Sequence, residues 1–261
     1  MTQTKLEMPQ QAQEDQYEFP YHYLPSWGRK GLILARYWPW GYRYLGGLMV
    51  VLDQLQPYRF ASLIDIGCGD GRFLREAAKV YPDAQLLGVD YSERAICLAK
   101  ALNPGLHYEA LNILETPPLK RFDAATLIEV LEHIPPPEVK RFIAAVADLL
   151  EDRGHLVLTV PHRNKPVIKK HFQHFTSADL RAILEPHFTD IVFTPFDTLP
   201  RYAPLLAILD RLIGGKGKFF ILTNRRLLGW VFRYYVKHHL YVKDEKRCER
   251  IAVICRKRSA A

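Results

Sequence analysis

Leu63-Ile64-Asp65-Ile66-Gly67-Cys68-Gly69-Asp70-Gly71-Arg72-Phe73 is the stretch on which the reading of this chain turns. Leu63 to Ile66 have the length and apolar character of a short buried strand. Glycine then recurs at every second position, at 67, 69 and 71. A helix follows, with Phe73, Leu74, Ala77 and Ala78 on its apolar face. Glycine lets the backbone turn sharply and approach a ligand closely. The helix start adds unpaired N–H groups and the positive end of its dipole. The spacing is not that of a G-x-G-x-x-G dinucleotide loop, because Gly71 comes one residue early and Arg72 holds the third-glycine position.

Two later runs give the loop a context. Leu86-Leu87-Gly88-Val89-Asp90 is a second apolar run ending in an acid, about 20 residues beyond the glycines, where ribose recognition places a carboxylate. Asp90 accepts from ribose hydroxyls in that reading, and Tyr91 lies against an adenine ring. The third run is Phe122-Asp123-Ala124-Ala125-Thr126-Leu127-Ile128-Glu129-Val130-Leu131-Glu132-His133-Ile134.

Together these runs resemble the class I S-adenosylmethionine-dependent methyltransferases, in the type 11/12-like small-molecule branch. The likeness covers roughly residues 60 to 195 plus a strand near the C-terminus. It implies an α/β three-layer sandwich around a mostly parallel seven-stranded, Rossmann-like sheet. It implies S-adenosylmethionine as donor and S-adenosylhomocysteine as product. By the same resemblance Asp65, Gly67, Cys68, Gly69 and Gly71 meet the methionine and ribose parts, and Asp90 and Tyr91 the ribose and adenine. Asn112 stands where the family most often has an acid receiving the adenine amino group. Ile113 supplies an N–H and an apolar wall, and Glu129 closes the cofactor side.

With 261 residues, 48% hydrophobic and 25% charged, the chain fits one enlarged soluble domain. Cys68, Cys97, Cys248 and Cys255 lack metal-type spacing and read as buried thiols in a reducing compartment. No signal peptide opens the chain, and the most apolar stretch, Leu32 to Leu52, is broken by Arg36, Pro39 and Arg43. A cytoplasmic location is expected, with peripheral contact at an inner membrane surface.

Alternating apolar runs and helical patterns predict strands at 62–66, 85–89, 106–109, 122–128, 154–160, 188–194 and 250–256. Helices are predicted at 70–80, 92–102, 136–150 and 177–186, the last opened by the capping pattern Thr176-Ser177-Ala178-Asp179. Five segments follow: a disordered tail over 1–16, an N-terminal helical and aromatic cap over 17–58, and the core over 59–195. A basic amphipathic insertion over 196–247 comes next, and the last core strand and tail occupy 248–261. Two helical patterns, 204–213 and 226–236, fill the insertion on either side of Gly214-Gly215-Lys216-Gly217. Most of the net charge of +8 lies there: eleven basic residues oppose four acidic ones between Pro195 and Arg247.

Methyl transfer from a sulfonium needs alignment and exclusion of water, and a base only where the acceptor loses a proton. His133 is the expected base because unperturbed imidazole titrates near neutrality, with Glu132 beside it. A second reading comes from a narrower likeness. Glu129-x-x-Glu132-His133 with His171 or His174 is similar to the metal-binding set of small-RNA 3′-end 2′-O-methyltransferases, and His174 is the favoured fourth ligand of that alternative. The primary expectation carries no metal. A third reading is a non-catalytic cofactor-binding regulator.

The aromatic cap and basic insertion suit a lid and an apolar channel for a small or amphipathic acceptor, methylated most simply at oxygen. The basic face also suits an anionic membrane. Aliphatic runs such as Phe219-Phe220-Ile221-Leu222 interrupt the basic residues and argue against nucleic acid.

Overall fold

A computed structural model describes residues 26–28, 31–33, 38–214 and 225–259. The expected tail, the first residues of the cap and the run Phe219–Leu222 lie outside them. A short antiparallel pair, β1 (Ser26–Gly28) and β2 (Gly31–Ile33), precedes α1 (Trp38–Leu55). The N-terminal segment is therefore not helical throughout.

The central sheet starts with β3 (Ser62–Ile66), buried at every residue. Then come α2 (Arg72–Val80), β4 (Gln85–Asp90), α3 (Glu93–Leu102) and β5 (His107–Ala110). The chain passes without a helix to β6 (Phe122–Ile128), then through α4 (Val139–Asp148) to β7 (Leu150–Pro161). The rest is α5 (Ser177–Leu184), β8 (Phe188–Thr198), α6 (Pro204–Gly214), α7 (Arg225–Tyr235) and β9 (Cys248–Lys257). Strand order is β5-β4-β3-β6-β7-β9-β8. β9 runs antiparallel between β7 and β8, while the β3, β4, β5, β6 and β7 ladders are parallel. This is the seven-stranded arrangement expected.

Departures from the expected boundaries have local causes. α4 begins at Val139 because Pro135–Pro137 impose an extended residue and a 3-10 turn first. α5 stops at Leu184, two residues ahead of Pro186, which has no N–H to continue the helical hydrogen bonds. β7 starts at Leu150, four residues early, because Leu150 pairs with Phe122 ahead of a register shift. Thr176 and Asp179 form the reciprocal capping box.

The insertion does not stand alone. Tyr42 and Leu45 of α1, Phe196 of β8, Leu206 of α6 and Val231, Phe232 and Tyr235 of α7 bury one another in one apolar cluster. α1 is thus the partner that covers the apolar faces of α6 and α7, and it also packs on the sheet through Leu48, Val51 and Leu55. This position puts Arg43, Tyr44 and Gly47 over the ends of the central strands.

Candidate active site

The glycine loop is held in a conformation that non-glycine residues rarely adopt. Gly67, Gly69 and Gly71 all have positive φ, at 74°, 54° and 78°. At Gly71 a side chain is doubly barred, because a Cβ there would stand 2.5 Å from Tyr108 Oη. The amides of Gly67 and Cys68 both donate to the Val89 carbonyl. Gly69 N–H donates to Asp90 Oδ2 at 2.9 Å, and Ser92 N–H donates to Asp90 Oδ1 at 2.9 Å. Asp90 therefore ties the loop to the end of β4. The first turn of α2 has no side-chain cap.

Asp65 sits at the loop's root, fully buried, and accepts from Thr126 Oγ1 at 2.6 Å. Burial pushes its carboxyl up to about 7; the Thr126 bond opposes that rise and the Asp90 charge adds to it. A cation brought to this point, such as an ammonium, restores the carboxylate.

A chamber of about 300 Å³ opens beside the loop. Asp65, Gly67, Cys68 and Gly69 form one wall, and Arg43, Tyr44, Gly47 and Leu48 of α1 another. Glu129, Glu132 and His133 face them from the segment after β6, joined by Lys165, Lys170 and His171 from the loop after β7. Asp197, Glu249 and Arg250 complete it. A Cβ at Gly47 would lie 2.7 Å from Arg250 Nη1, so a side chain there would displace that guanidinium.

Among the described residues the lining of this chamber is mixed rather than apolar throughout. Apolar lining comes from Tyr44, Leu48, Phe73, Ile128 and Ile168, and an ion-pair network lies opposite. Arg43 Nη1 pairs with Asp197 Oδ1 at 2.7 Å and with Glu249 Oε2 at 3.2 Å. Arg250 Nη2 lies 3.3 Å from Asp197 Oδ2, Lys165 Nζ 3.1 Å from Glu249 Oε2, and Tyr235 Oη donates to Asp197 at 3.3 Å. A larger, more apolar cavity near Tyr81, Leu86 and Leu106 contains no residue of the glycine loop and lies away from this chemistry.

Glu129 adopts φ 55°, a sparsely populated conformation for a non-glycine residue, and its Oε1 is buried without a hydrogen bond. Glu132 is fully buried, and burial, followed by the Glu129 charge, raises its carboxyl well above the usual range. His133 Nδ1 is 2.8 Å from the Lys170 carbonyl. Burial and the Lys170 charge pull His133 down to about 4, so it is neutral at pH 7 and a weaker base than an unperturbed imidazole.

The chamber brings together Asp65, Gly67, Cys68, Gly69, Glu129, Glu132 and His133. It does not include Gly71, Asp90, Tyr91, Asn112 or Ile113, of which the last four lie at and beyond the ends of β4 and β5. Tyr91 is largely exposed and Ile113 is buried. Asn112 Oδ1 accepts from Leu114 N–H and its amide donates to Glu115, so it also shapes a turn. Sequence reasoning missed Arg43, Lys165, Lys170, Asp197, Glu249 and Arg250, which no local sequence pattern marks. All four cysteines are free, and Cys97 is exposed, contrary to expectation. No helix among the described residues is long and apolar enough to cross a membrane.

A model of the family described as methyltransferase domain matches residues 43–190, more than half of the chain. Methyltransferase str2 of Strobilurus tenacellus is 34% identical over 44% of this chain and 40% of its own length. The ubiquinone biosynthesis O-methyltransferase of Coxiella burnetii is 36% identical over 43% and 49%. The chain thus spans less than half the length of these curated relatives. Among solved structures, a SAM-dependent methyltransferase from Archaeoglobus fulgidus superposes with TM-score 0.53 at 18% identity, covering 80% of this chain and 94% of that one. A Haemonchus contortus phosphoethanolamine N-methyltransferase in complex with S-adenosyl-L-methionine gives TM-score 0.56 at 16% identity, covering 81% and 52%. The glycine loop, the strand order and the family match agree: this chain belongs to the class I S-adenosylmethionine-dependent methyltransferases.

Proposed function

We propose that the protein transfers a methyl group from S-adenosylmethionine to an oxygen of a small or amphipathic acceptor. The observation that carries this reading is the positive-φ glycine loop, clamped by Asp90 and opening on the chamber that holds Glu132 and His133. The donor, when bound, supplies an electrophilic methyl on a sulfonium. Gly69 and Asp90 would place its ribose, and Asp65 its ammonium. Tyr91, Asn112 and Ile113 would flank the adenine outside the chamber. The α1 residues Tyr44 and Leu48 cover the chamber and exclude water, which holds acceptor and methyl in line. His133 lines the chamber and would take the hydroxyl proton.

The name of the bacterial relative supports oxygen as the methylated atom and a small molecule as acceptor. RNA 2′-O-methyl transfer stands second. The exposed Leu205, Ile208 and Trp230, beside the exposed bases Arg226, Arg233 and Lys237, suit contact with an anionic bilayer from which an amphipathic acceptor would be drawn. Co-sedimentation with phosphatidylglycerol vesicles but not with phosphatidylcholine vesicles tests that contact. Release of S-adenosylhomocysteine with a panel of phenols and catechols tests the activity. Turnover of amines alone would redirect the reading to nitrogen.

A further inference from the structure

One wall of the chamber carries more positive than negative charge. Asp197 lies at the end of β8, and Glu249 and Arg250 lie at the start of β9. The two strands run antiparallel, so these residues meet at one end of the sheet. Arg43 reaches the same point from α1, and Lys165 from the loop after β7. Open α/β sheets bind their ligands outside the carboxyl ends of the parallel strands, and this is that end.

The cluster holds three cations, Arg43, Lys165 and Arg250, and two carboxylates, Asp197 and Glu249. Both carboxylates are already shared. Asp197 takes Arg43 on Oδ1 and Arg250 on Oδ2, while Glu249 Oε2 takes Arg43 and Lys165. One positive charge is left over. The side chain of Asp197 is only 2% exposed, so water screens the cluster poorly. Lys170, the other cation of the chamber, lies in the field of Glu132 and Glu129 and does not enter this count. Bound donor leaves the excess in place. In the reading above its ammonium goes to Asp65, and its carboxylate and sulfonium carry opposite charges.

Arg250 supplies an independent sign. Its Nη2 donates to the Arg43 carbonyl at 2.7 Å, and its guanidinium lies 4.5 Å from the centre of the Phe196 ring. Its Nε–H is buried without a hydrogen-bond partner, in a residue that is 9% exposed. An orphaned donor on a buried cation costs free energy until an acceptor atom meets it.

We propose that Lys165 and Arg250, set in place by Asp197, Glu249 and Arg43, form a subsite for an anionic group, carboxylate or phosphate, on the acceptor molecule. The subsite rests on the methyl-transfer reading above and names a property of its acceptor. Lys165 Nζ has three donors and meets one carboxylate, at 3.1 Å, with its side chain 38% exposed, so it can turn to an incoming anion. Arg250 is fixed by Asp197 and the Phe196 ring and adds a charge whose direction is already set. An anion held there anchors one end of the acceptor and leaves its hydroxyl for the segment that carries His133. Two explanations compete. Glu129, whose charge also acts on Arg250, is the internal counter-charge, or the carboxylate of the donor itself occupies the subsite.

Calorimetric titration with matched probes, in the presence and absence of S-adenosylhomocysteine, tests the subsite. One series is dihydroxybenzoate, dihydroxyphenyl phosphate and the neutral dihydroxybenzamide, all with adjacent hydroxyls. Hydroxydecanoate and its amide form an aliphatic series. At least one anion should bind about tenfold or more tighter than its amide, and the member that does so separates carboxylate from phosphate. Lys165→Gln should remove most of that preference and Lys165→Arg should restore it. S-adenosylhomocysteine affinity should stay within about twofold in both, which also shows that they fold. Amides that bind as well as their anions overturn the subsite and leave Glu129 as the counter-charge. A panel in which no anion binds overturns it too. A preference unchanged in Lys165→Gln does the same, by placing the anion elsewhere. Weaker S-adenosylhomocysteine binding in Lys165→Gln, with the preference kept, overturns it by assigning the cluster to the donor carboxylate. Anion preference in protein that binds no S-adenosylhomocysteine would support the subsite and contradict the donor reading.

Discussion

The backbone amide of Gly69 donates to the carboxylate of Asp90 across 2.9 Å, joining the loop after β3 to the end of β4. One carboxylate also receives the Ser92 amide, so it sets the loop and the start of α3 together. Asp90→Ala removes both acceptors from a buried place. Thermal unfolding should show a loss of about 1–3 kcal/mol. S-adenosylhomocysteine affinity should fall by about tenfold or more. A variant with unchanged affinity would remove Asp90 from the donor site.

Asp65 gives a pH dependence with a defined sign. Burial pushes its carboxyl up to about 7 from the ordinary 3.8, so the folded state binds the proton more tightly. Its contribution is fully present below about pH 4 and is lost as pH rises through about 7. Cofactor-free protein should therefore lose on the order of 3–4 kcal/mol between these limits, relative to Asp65→Asn. Paired denaturant titrations at pH 5 and pH 8 measure the difference. Parallel curves for the two proteins would contradict the raised value. Donor binding near pH 6.5 should release a proton, seen as a buffer-dependent heat.

Gly71→Ala places a Cβ into a left-handed residue and against Tyr108 Oη. The conformation alone costs roughly 1–2 kcal/mol, and the overlap adds about 1–3 kcal/mol. A loss of about 2–5 kcal/mol in chemical denaturation is expected, with weaker donor binding from a displaced loop. A neutral result would mean that Tyr108 moves freely.

Asp197 is the counter-charge to two buried arginines. It has φ 63°, a conformation that asparagine also tolerates, so Asp197→Asn isolates the charge without straining the backbone. Arg43 is then left with Glu249, and Arg250 with Glu129 and Glu249, as the acids that still act on them. The melting temperature should drop by an amount equivalent to about 3–5 kcal/mol. Arg43→Met in the same chain should recover part of it. Equal melting of Asp197→Asn and the parent would show that water already shares the load.

Much of this was legible where the signal is local. The run from Leu63 to Phe73 reads as strand, turn and helix because each residue's preference points the same way, and Thr176 with Asp179 marks a helix start by reciprocal hydrogen bonds. The chamber's charges were not legible, because they meet across the fold. Arg43 and Asp197 are 154 positions apart, and only the packing of α1 against the insertion brings them together. The pattern His171-Phe172-Gln173-His174 offers two equivalent imidazoles; the carbonyl of Lys165 decides which one turns inward. His133 was read from its ordinary pKa, which burial then lowered. Cys97 resembled its buried counterparts by context, yet its place on α3 faces solvent.

The central claim is a donor site built on Gly67, Gly69 and Asp90, and calorimetric titration of the protein with S-adenosylhomocysteine tests it most directly. One equivalent should bind with a dissociation constant in the micromolar range, about −8 kcal/mol, and Asp90→Ala should weaken it about tenfold or more. Absence of any binding heat at two temperatures, with the protein shown to be folded by its cooperative melt, would contradict the account.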